Sequence, residues 1–168
     1  MKLDITAQAR LDTPMGPMTA AASERGLVGL WFDGQAHHPG PLDAPLNPQQ
    51  RWLRAARCTL DAYFAGHDAA GELQLDLQGT PFQQAVWQQL LALERGATCS
   101  YSTLAERAGV PHAVRAVGAA VGRNPVSVLV PCHRVLGRSG ALTGYAGGLD
   151  RKRALLALEQ ARAEALTA

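Results

Sequence analysis

Ser102-Thr103-Leu104-Ala105-Glu106-Arg107-Ala108-Gly109-Val110-Pro111-His112-Ala113-Val114-Arg115-Ala116-Val117-Gly118-Ala119-Ala120-Val121 carries the clearest architecture in the chain. The spacing predicts one helix from Ser102 to Ala108, stopped by Gly109, and a second opened by Pro111 and closed near Gly122 and Asn124-Pro125. Two short helices joined by a glycine-containing turn match a helix-turn-helix pattern, although many such pairs bind nothing. Upstream, Thr80-Pro81-Phe82-Gln83 combines an N-cap, a proline at the first helical position and a capping-box glutamine. Phe82, Ala85, Val86, Leu90 and Leu93 give that helix an apolar face, and Gly96 is expected to end it. Downstream, Val126-Ser127-Val128-Leu129-Val130 reads as a short buried strand. Gly144, Gly147 and Gly148 read as a flexible loop, and Asp150 as the cap of a last helix reaching about Leu166.

The first half carries weaker signals. Met18-Thr19-Ala20-Ala21-Ala22 and Gly26-Leu27-Val28-Gly29-Leu30-Trp31-Phe32 read as strands around a Ser23-Glu24-Arg25-Gly26 turn. Pro/Gly content makes a loop of His37-His38-Pro39-Gly40-Pro41. Its two histidines are expected to be solvated, with metal ligation as the alternative. Trp52, Leu53, Ala56, Leu60, Tyr63 and Phe64 recur at helical spacing from Gln49 to Phe64.

The chain has 168 residues, 47% of them hydrophobic and 18% charged, enough for one ordinary domain or two small ones and too apolar for disorder. No apolar run approaches the roughly 20 residues of a bilayer span, and Asp4 interrupts any export signal, so an intracellular, reducing setting is expected. Cys58, Cys99 and Cys132 are odd in number and lack a CxxC pair, which argues against a disulfide framework and against a structural zinc site. Net charge is +2. It is uneven: residues 1–79 hold six Lys/Arg against nine acids, residues 80–168 ten against five. A basic second half suits a polyanionic partner, and chance imbalance suits it equally.

Chemistry concentrates at Pro131-Cys132-His133-Arg134-Val135. A cysteine beside a histidine and an arginine has neighbours able to favour its thiolate, the nucleophilic form. The alternative is a buried structural cysteine next to a surface histidine. Glu159, three and four residues beyond Leu156 and Leu155, shares their side of the last helix. An inward carboxylate needs a partner, and a Glu-His pair beside a cysteine would orient the imidazole to take the thiol proton. A rim glutamate paired with Arg162 or Arg151 is the other reading.

These residues form an ordered series. Gly79-Thr80-Pro81-Phe82-Gln83, Val86-Trp87, Ser100-Tyr101, Arg115-Ala116-Val117-Gly118, Asn124-Pro125, Pro131-Cys132-His133-Arg134-Val135, Gly144-Tyr145-Ala146-Gly147-Gly148 and Leu155-Leu156-Ala157-Leu158-Glu159 together resemble the O6-alkylguanine-DNA alkyltransferases over about residues 79–160. The first 75 residues resemble the family only in general layout. The resemblance implies a two-domain α/β (α+β) protein. Its N-terminal domain (1–76) is a structural unit with an RNase H-like antiparallel sheet and a helix. Its C-terminal domain (77–168) is helical and winged-helix-like, with a helix-turn-helix, and both binds DNA and accepts the alkyl group.

The implied reaction is direct reversal of O6-alkylguanine, and of O4-methylthymine, by single-turnover transfer to the protein's own cysteine after base flipping. Cys132 matches the acceptor and His133 its base, acting through a water. Glu159 polarises the histidine, and Asn124 ties the helix-turn-helix to the active-site segment. Arg115 matches the arginine that enters the base stack, with a phosphate contact as the alternative role. Ala116, Gly118 and Ala119 supply a small-residue surface for the minor groove, along with Ala113 and Ala120. Tyr101 matches the tyrosine that crowds the target phosphate. Tyr145, Val135, Ala146 and Gly147 would line the base pocket, together with Ser127, which replaces a proline of some relatives and could admit bulkier adducts. Glu94-Arg95 before Gly96, where relatives often have proline, suggests a different turn.

No metal and no cofactor is expected. The expected partner is double-stranded DNA bearing O6-alkylguanine, bound from the minor groove by a monomer without a membrane. The expected location is cytoplasmic, on the nucleoid of a bacterium or in the nucleus of a eukaryote. The rival readings are a DNA-binding relative without transfer, a cysteine hydrolase and a transcriptional regulator. Cys132 counts against the first, Arg115 with the helix-turn-helix against the second, and the Cys-His-Glu series against the third.

Overall fold

The structure is a computed structural model. It describes residues 2–67 and 73–167, with side chains described as far as residue 160. The chain divides into two compact units: 1–78 with Pro125–Leu129, and Gly79–Asn124 with 130–168.

The first unit is built on a three-stranded antiparallel sheet in the order β1 (Ala7–Leu11), β2 (Met18–Ala22), β3 (Leu27–Phe32). β1 escapes a sequence reading because Ala7 and Ala9, its inward residues, carry little β signal. All six residues of β3 are buried. Its start is closed by the 74–76 segment: Leu27 N–H donates to Gln74 O and Asp76 N–H to Leu27 O, both at 2.8 Å. A Cβ on Gly26 would lie 2.7 Å from Gln74 O, so this approach requires glycine. Helix α1 (Arg51–Phe64) is capped by the Gln50 side chain, and buries Trp52, Leu53, Ala56, Leu60 and Tyr63.

The 125–129 segment corrects the expectation of a strand. Only Val126 bridges, to Leu30. Leu129 N–H then donates to Ser127 O at 2.9 Å across Val128, whose φ is +73°. That is the strained form of the γ-turn, rare for a β-branched residue, and it costs about 1–3 kcal/mol. Pro131, at φ −83° and ψ 62°, centres a relaxed inverse γ-turn closed by Cys132 N–H to Val130 O at 2.8 Å. An apolar run without polar alternation does not distinguish this tight winding from a buried strand.

The second unit is mostly helical. α2 (Pro81–Leu91) carries the expected Thr80–Gln83 capping box. It ends at Leu91, before Gly96, which instead turns the following loop at φ +79°. A short strand β4 (Cys99–Ser100) leads into α3 (Tyr101–Arg107), with Ser100 as N-cap. After Gly109 (φ +75°) comes α4 (Val114–Gly122). It opens three residues later than Pro111 suggested, because Ala113 N–H first closes a turn onto Val110 O. Trp87 Nε1 donates to Ala120 O at 2.8 Å and ties α2 to α4.

Beyond a 3-10 turn (Cys132–Arg134), β5 (Val135–Leu136) runs parallel to β4. The chain finishes with α5 (Leu149–Thr167). Asp150 lies inside the first turn of α5, where it accepts from Arg153, so it is not the N-cap. Among the described residues, no helix is long and apolar enough to cross a membrane.

Candidate active site

All of the site lies in the second unit. Its backbone frame is the turn of Pro131 and the 3-10 helix that follows, which holds Cys132, His133 and Arg134 in sequence at 5%, 0% and 8% exposure. From the end of α4, Asn124 donates through Nδ2 to Val130 O at 2.8 Å and to Cys132 Sγ at 3.0 Å. Asn124 thereby fixes the turn and the sulfur with one amide group.

Burial pushes the Cys132 thiol up from its ordinary value, and the Asn124 hydrogen bond and the Lys152 charge offset that only in part. The resting group is a thiol. The arginine expected to favour a thiolate points elsewhere: Arg134 holds Glu159 through Nε to Oε2 and Nη2 to Oε1, each at 2.9 Å, and gives Nη1 to Leu93 O.

Glu159 comes from α5 at 1% exposure, on the same side as fully buried Leu155. Its Oε1 lies 2.6 Å from His133 Nε2, and Gly96 N–H reaches Oε2 at 3.4 Å. Of the two readings open in the sequence, the inward Glu-His pair is observed, with Arg134 as an added partner. Arg151 instead donates to Gly147 O, and Arg162 lies outside the described side chains. Burial alone would raise the Glu159 carboxyl, but hydrogen bonds from His133 and Arg134, together with the Arg134 charge, hold it well below the usual carboxylate range. Burial lowers His133, and Glu159 only partly opposes this, which favours the neutral imidazole.

Both shifts have the same consequence for stability. The unfolded chain takes up protons at His133 below about pH 6.5 and at Glu159 below about 4.5, before the folded state does. Stability is therefore full above pH 6.5 and falls as the solution is acidified through those two windows. Urea midpoints should drop between pH 7 and 5, and drop further below 4.5. A His133→Gln variant should lose the upper step and keep the lower.

Lys152 was not singled out in the sequence. It is fully buried, and its Nζ donates to Val135 O at 2.6 Å, Gly144 O at 3.1 Å and Thr143 O at 3.2 Å. One ammonium thus pins β5 and the loop expected to be flexible to the side of α5. The signal was available: Lys152, Leu155 and Glu159 recur at i, i+3 and i+7, an inward stripe.

Tyr145, half-buried, meets the His133 ring edge-on at a centroid distance of 6.5 Å. Tyr101 donates its hydroxyl to Thr143 O at 3.2 Å, and its ring lies beside Gly118, where a Cβ would sit 3.8 Å from it. Arg115, Ala116 and Ala119 are exposed on α4, while Val117, Ala120 and Val121 face inward. Of the suggested pocket residues, Val135 and Gly147 are buried, and Ala146 is half-buried. Ser127 belongs to the segment that packs with the first unit, and its hydroxyl donates to Gln35 Oε1 at 3.0 Å. Among the described residues, no three His, Cys, Asp or Glu are grouped to hold a metal, and His38 Nδ1 accepts from Gly40 N–H.

Two family models match consecutive stretches of the chain. The 6-O-methylguanine DNA methyltransferase ribonuclease-like domain matches residues 8–77, and the DNA binding domain of the same enzymes matches residues 81–161. The chain belongs to the 6-O-methylguanine DNA methyltransferase family. Within that family it is 46% identical to the methylated-DNA–protein-cysteine methyltransferase of Mycobacterium bovis, covering 92% of this chain and 93% of that one. The same-named protein of Methanosarcina barkeri is 42% identical over 89% and 94% of the two chains. The crystal structure of Mycobacterium tuberculosis OGT in complex with DNA superposes with a TM-score of 0.86 at 44% identity, covering 94% of each chain. The stretch matched by the ribonuclease-like model is the mixed α/β part of this chain, and the stretch matched by the DNA binding model is its mostly helical part.

Proposed function

We propose that the protein repairs O6-alkylguanine in duplex DNA by moving the alkyl group irreversibly onto Cys132, one lesion per molecule. The observation that carries this reading is the buried chain of contacts Asn124–Cys132 and His133–Glu159–Arg134 within a fold whose relatives are named methylated-DNA–protein-cysteine methyltransferases. The thiol starts protonated and the imidazole starts neutral, so the pair is set up for proton transfer from sulfur to His133, through a water, as the sulfur attacks. The S–C bond forms as the C–O6 bond breaks. The restored guanine, still attached to the DNA, takes up one proton in place of the one the thiol gives up, and Cys132 is left as a thioether. A thioether cannot regenerate the thiol by simple hydrolysis, which makes the reaction single-turnover. O4-methylthymine presents the same alkyl–oxygen bond and belongs to the same substrate class.

The exposed face of α4 supports binding from the minor groove. Ala116 and Ala119 let the helix come close, and Arg115 projects from the same surface to fill the gap left when the base is flipped. Residues 77–168 would then be the DNA-binding and acceptor domain, acting as a monomer, and residues 1–76 a structural domain. Phosphate contacts dominate such binding, so affinity should fall with salt.

Intact-protein mass spectrometry after mixing with a duplex oligonucleotide containing O6-methylguanine tests the reading. One methyl on Cys132, with one lesion removed per protein and none afterwards, is the expected result. Binding without modification would instead favour a damage sensor. Arg115→Ala should slow repair of the duplex by about tenfold or more while leaving reaction with the free O6-alkylguanine base nearly unchanged, because only the duplex requires extrusion. Equal losses on both substrates would remove Arg115 from the flipping step.

A further inference from the structure

Neither the acceptor chemistry nor the DNA face assigns a task to Arg134. It is 8% exposed, and none of its contacts is with sulfur. Two of its nitrogens hold the two oxygens of Glu159, and a third holds Leu93 O in the loop after α2. Glu159 Oε1, which takes the Arg134 Nη2 hydrogen bond, is also the oxygen 2.6 Å from His133 Nε2. A carboxylate at that distance, with both side chains buried, would normally convert a histidine to imidazolium. An imidazolium cannot accept the proton of Cys132.

We infer that Arg134 is a positioning residue for the transfer: by clamping and neutralising Glu159 it keeps His133 the neutral, proton-accepting member of the pair. The inference rests on the reading of Cys132 as the alkyl acceptor. Among the described residues, charged, nucleophilic and aromatic groups face His133 from three elements. Glu159 and Lys152 come from α5, Arg134 and Cys132 from its own 3-10 turn, and Tyr145 from the loop before α5. The cations Arg134 and Lys152 oppose protonation of the ring, and Glu159 favours it. With Arg134 present, the Arg134–Glu159 pair has no net charge. Without it, His133 and Glu159 hold one more proton between them at neutral pH, because a lone buried carboxylate is too costly beside a ring able to protonate. The bidentate geometry adds orientation, since it sets the carboxylate plane and so the angle at which Oε1 meets the imidazole.

The test compares Arg134→Gln, which keeps hydrogen-bonding capacity and loses the charge, with Arg134→Lys, which keeps the charge. Two quantities are measured on the full chain: the imidazole titration of His133 by NMR, assigned against His133→Gln, and the pH profile of single-turnover methyl transfer. In Arg134→Gln, the titration and the acid limb of the rate profile should both move up by about one to three pH units. In Arg134→Lys, both should stay near their wild-type positions. A residue that only supports packing would lower the rate at every pH and leave both midpoints where they were.

A folded Arg134→Gln protein with an unmoved His133 titration overturns the inference. So does a wild-type His133 that is already imidazolium at pH 7. Should Arg134→Gln not fold, the wild type and Arg134→Lys decide: a neutral ring in both supports the inference, and an imidazolium in either overturns it. Absence of methyl transfer by the wild type would overturn the functional reading instead, and the NMR comparison would still decide the role of Arg134.

Discussion

Glu159→Ala is expected to destabilise the protein by about 3–5 kcal/mol and to abolish methyl transfer, the largest loss from any single substitution outside Cys132. The cause is less the contacts removed than the groups left behind. Arg134, at 8% exposure, keeps a full charge with only Leu93 O as its named partner, and His133 loses the acceptor that orients its ring. An uncompensated buried charge costs more than the pair contributed. The loop at Gly96, whose N–H reaches Glu159 Oε2, is released at the same time. Urea denaturation at pH 7 gives the energy. Glu159→Gln provides the control, since it keeps the shape and loses the charge, and it should recover part of the stability and little of the transfer. If Glu159→Ala unfolds at the wild-type midpoint, the buried triad has no structural weight.

Lys152→Met is the second. Methionine fills the space of the lysine stem but leaves Val135 O, Thr143 O and Gly144 O without their common donor. Val135 O, the buried acceptor of the three, costs about 1–3 kcal/mol when deprived of its donor, partly offset because a desolvated ammonium is also removed, while Thr143 O keeps the Tyr101 hydroxyl. A net loss of about 1–3 kcal/mol is expected. The larger effect is on the reaction. The 143–144 backbone also takes the Tyr101 hydroxyl, and Tyr145, on the His133 ring, follows it in the chain. Loss of that register by about 1 Å would slow transfer about a hundredfold. The loss should be similar on duplex DNA and on the free base, in contrast to Arg115→Ala, because the acceptor side is disturbed and the DNA face is not. A Lys152→Met protein that loses rate only on duplex would mean that the loop serves DNA binding.

Much of the fold was legible locally. Thr80, Pro81 and Gln83 mark the start of α2 because capping is a matter of three neighbouring residues, and that local chemistry survives in the folded chain. β2, β3 and α1 were readable from periodicity to within a residue or two. The failures share one physical origin. Gly96, Pro111 and Asp150 are common helix terminators or initiators, but each is displaced from the observed end because a tertiary contact or a local turn takes over. Val126-Ser127-Val128-Leu129-Val130 reads as a strand because a mostly apolar, mostly buried run looks the same whatever the backbone does. Its one γ-turn, at Val128, follows directly on the Ser127 N–H bond to Leu30 O, and a second γ-turn, centred on Pro131, comes after it.

The site divides in the same way. Residue types and spacing marked Cys132, His133 and Glu159, and they determined that a carboxylate on the Leu155 side of the last helix would be buried and need a partner. Which partner, and with what charge, was a tertiary decision. Arg134 is adjacent in sequence to the Cys-His pair and seemed to serve the sulfur, yet its guanidinium turns to a carboxylate 25 residues away. The thiol, expected to be activated by its neighbours, is instead raised by burial. Sequence specifies which groups can ionise. Desolvation and the distance between charges decide which of them do, and both are set only when the chain has closed around them.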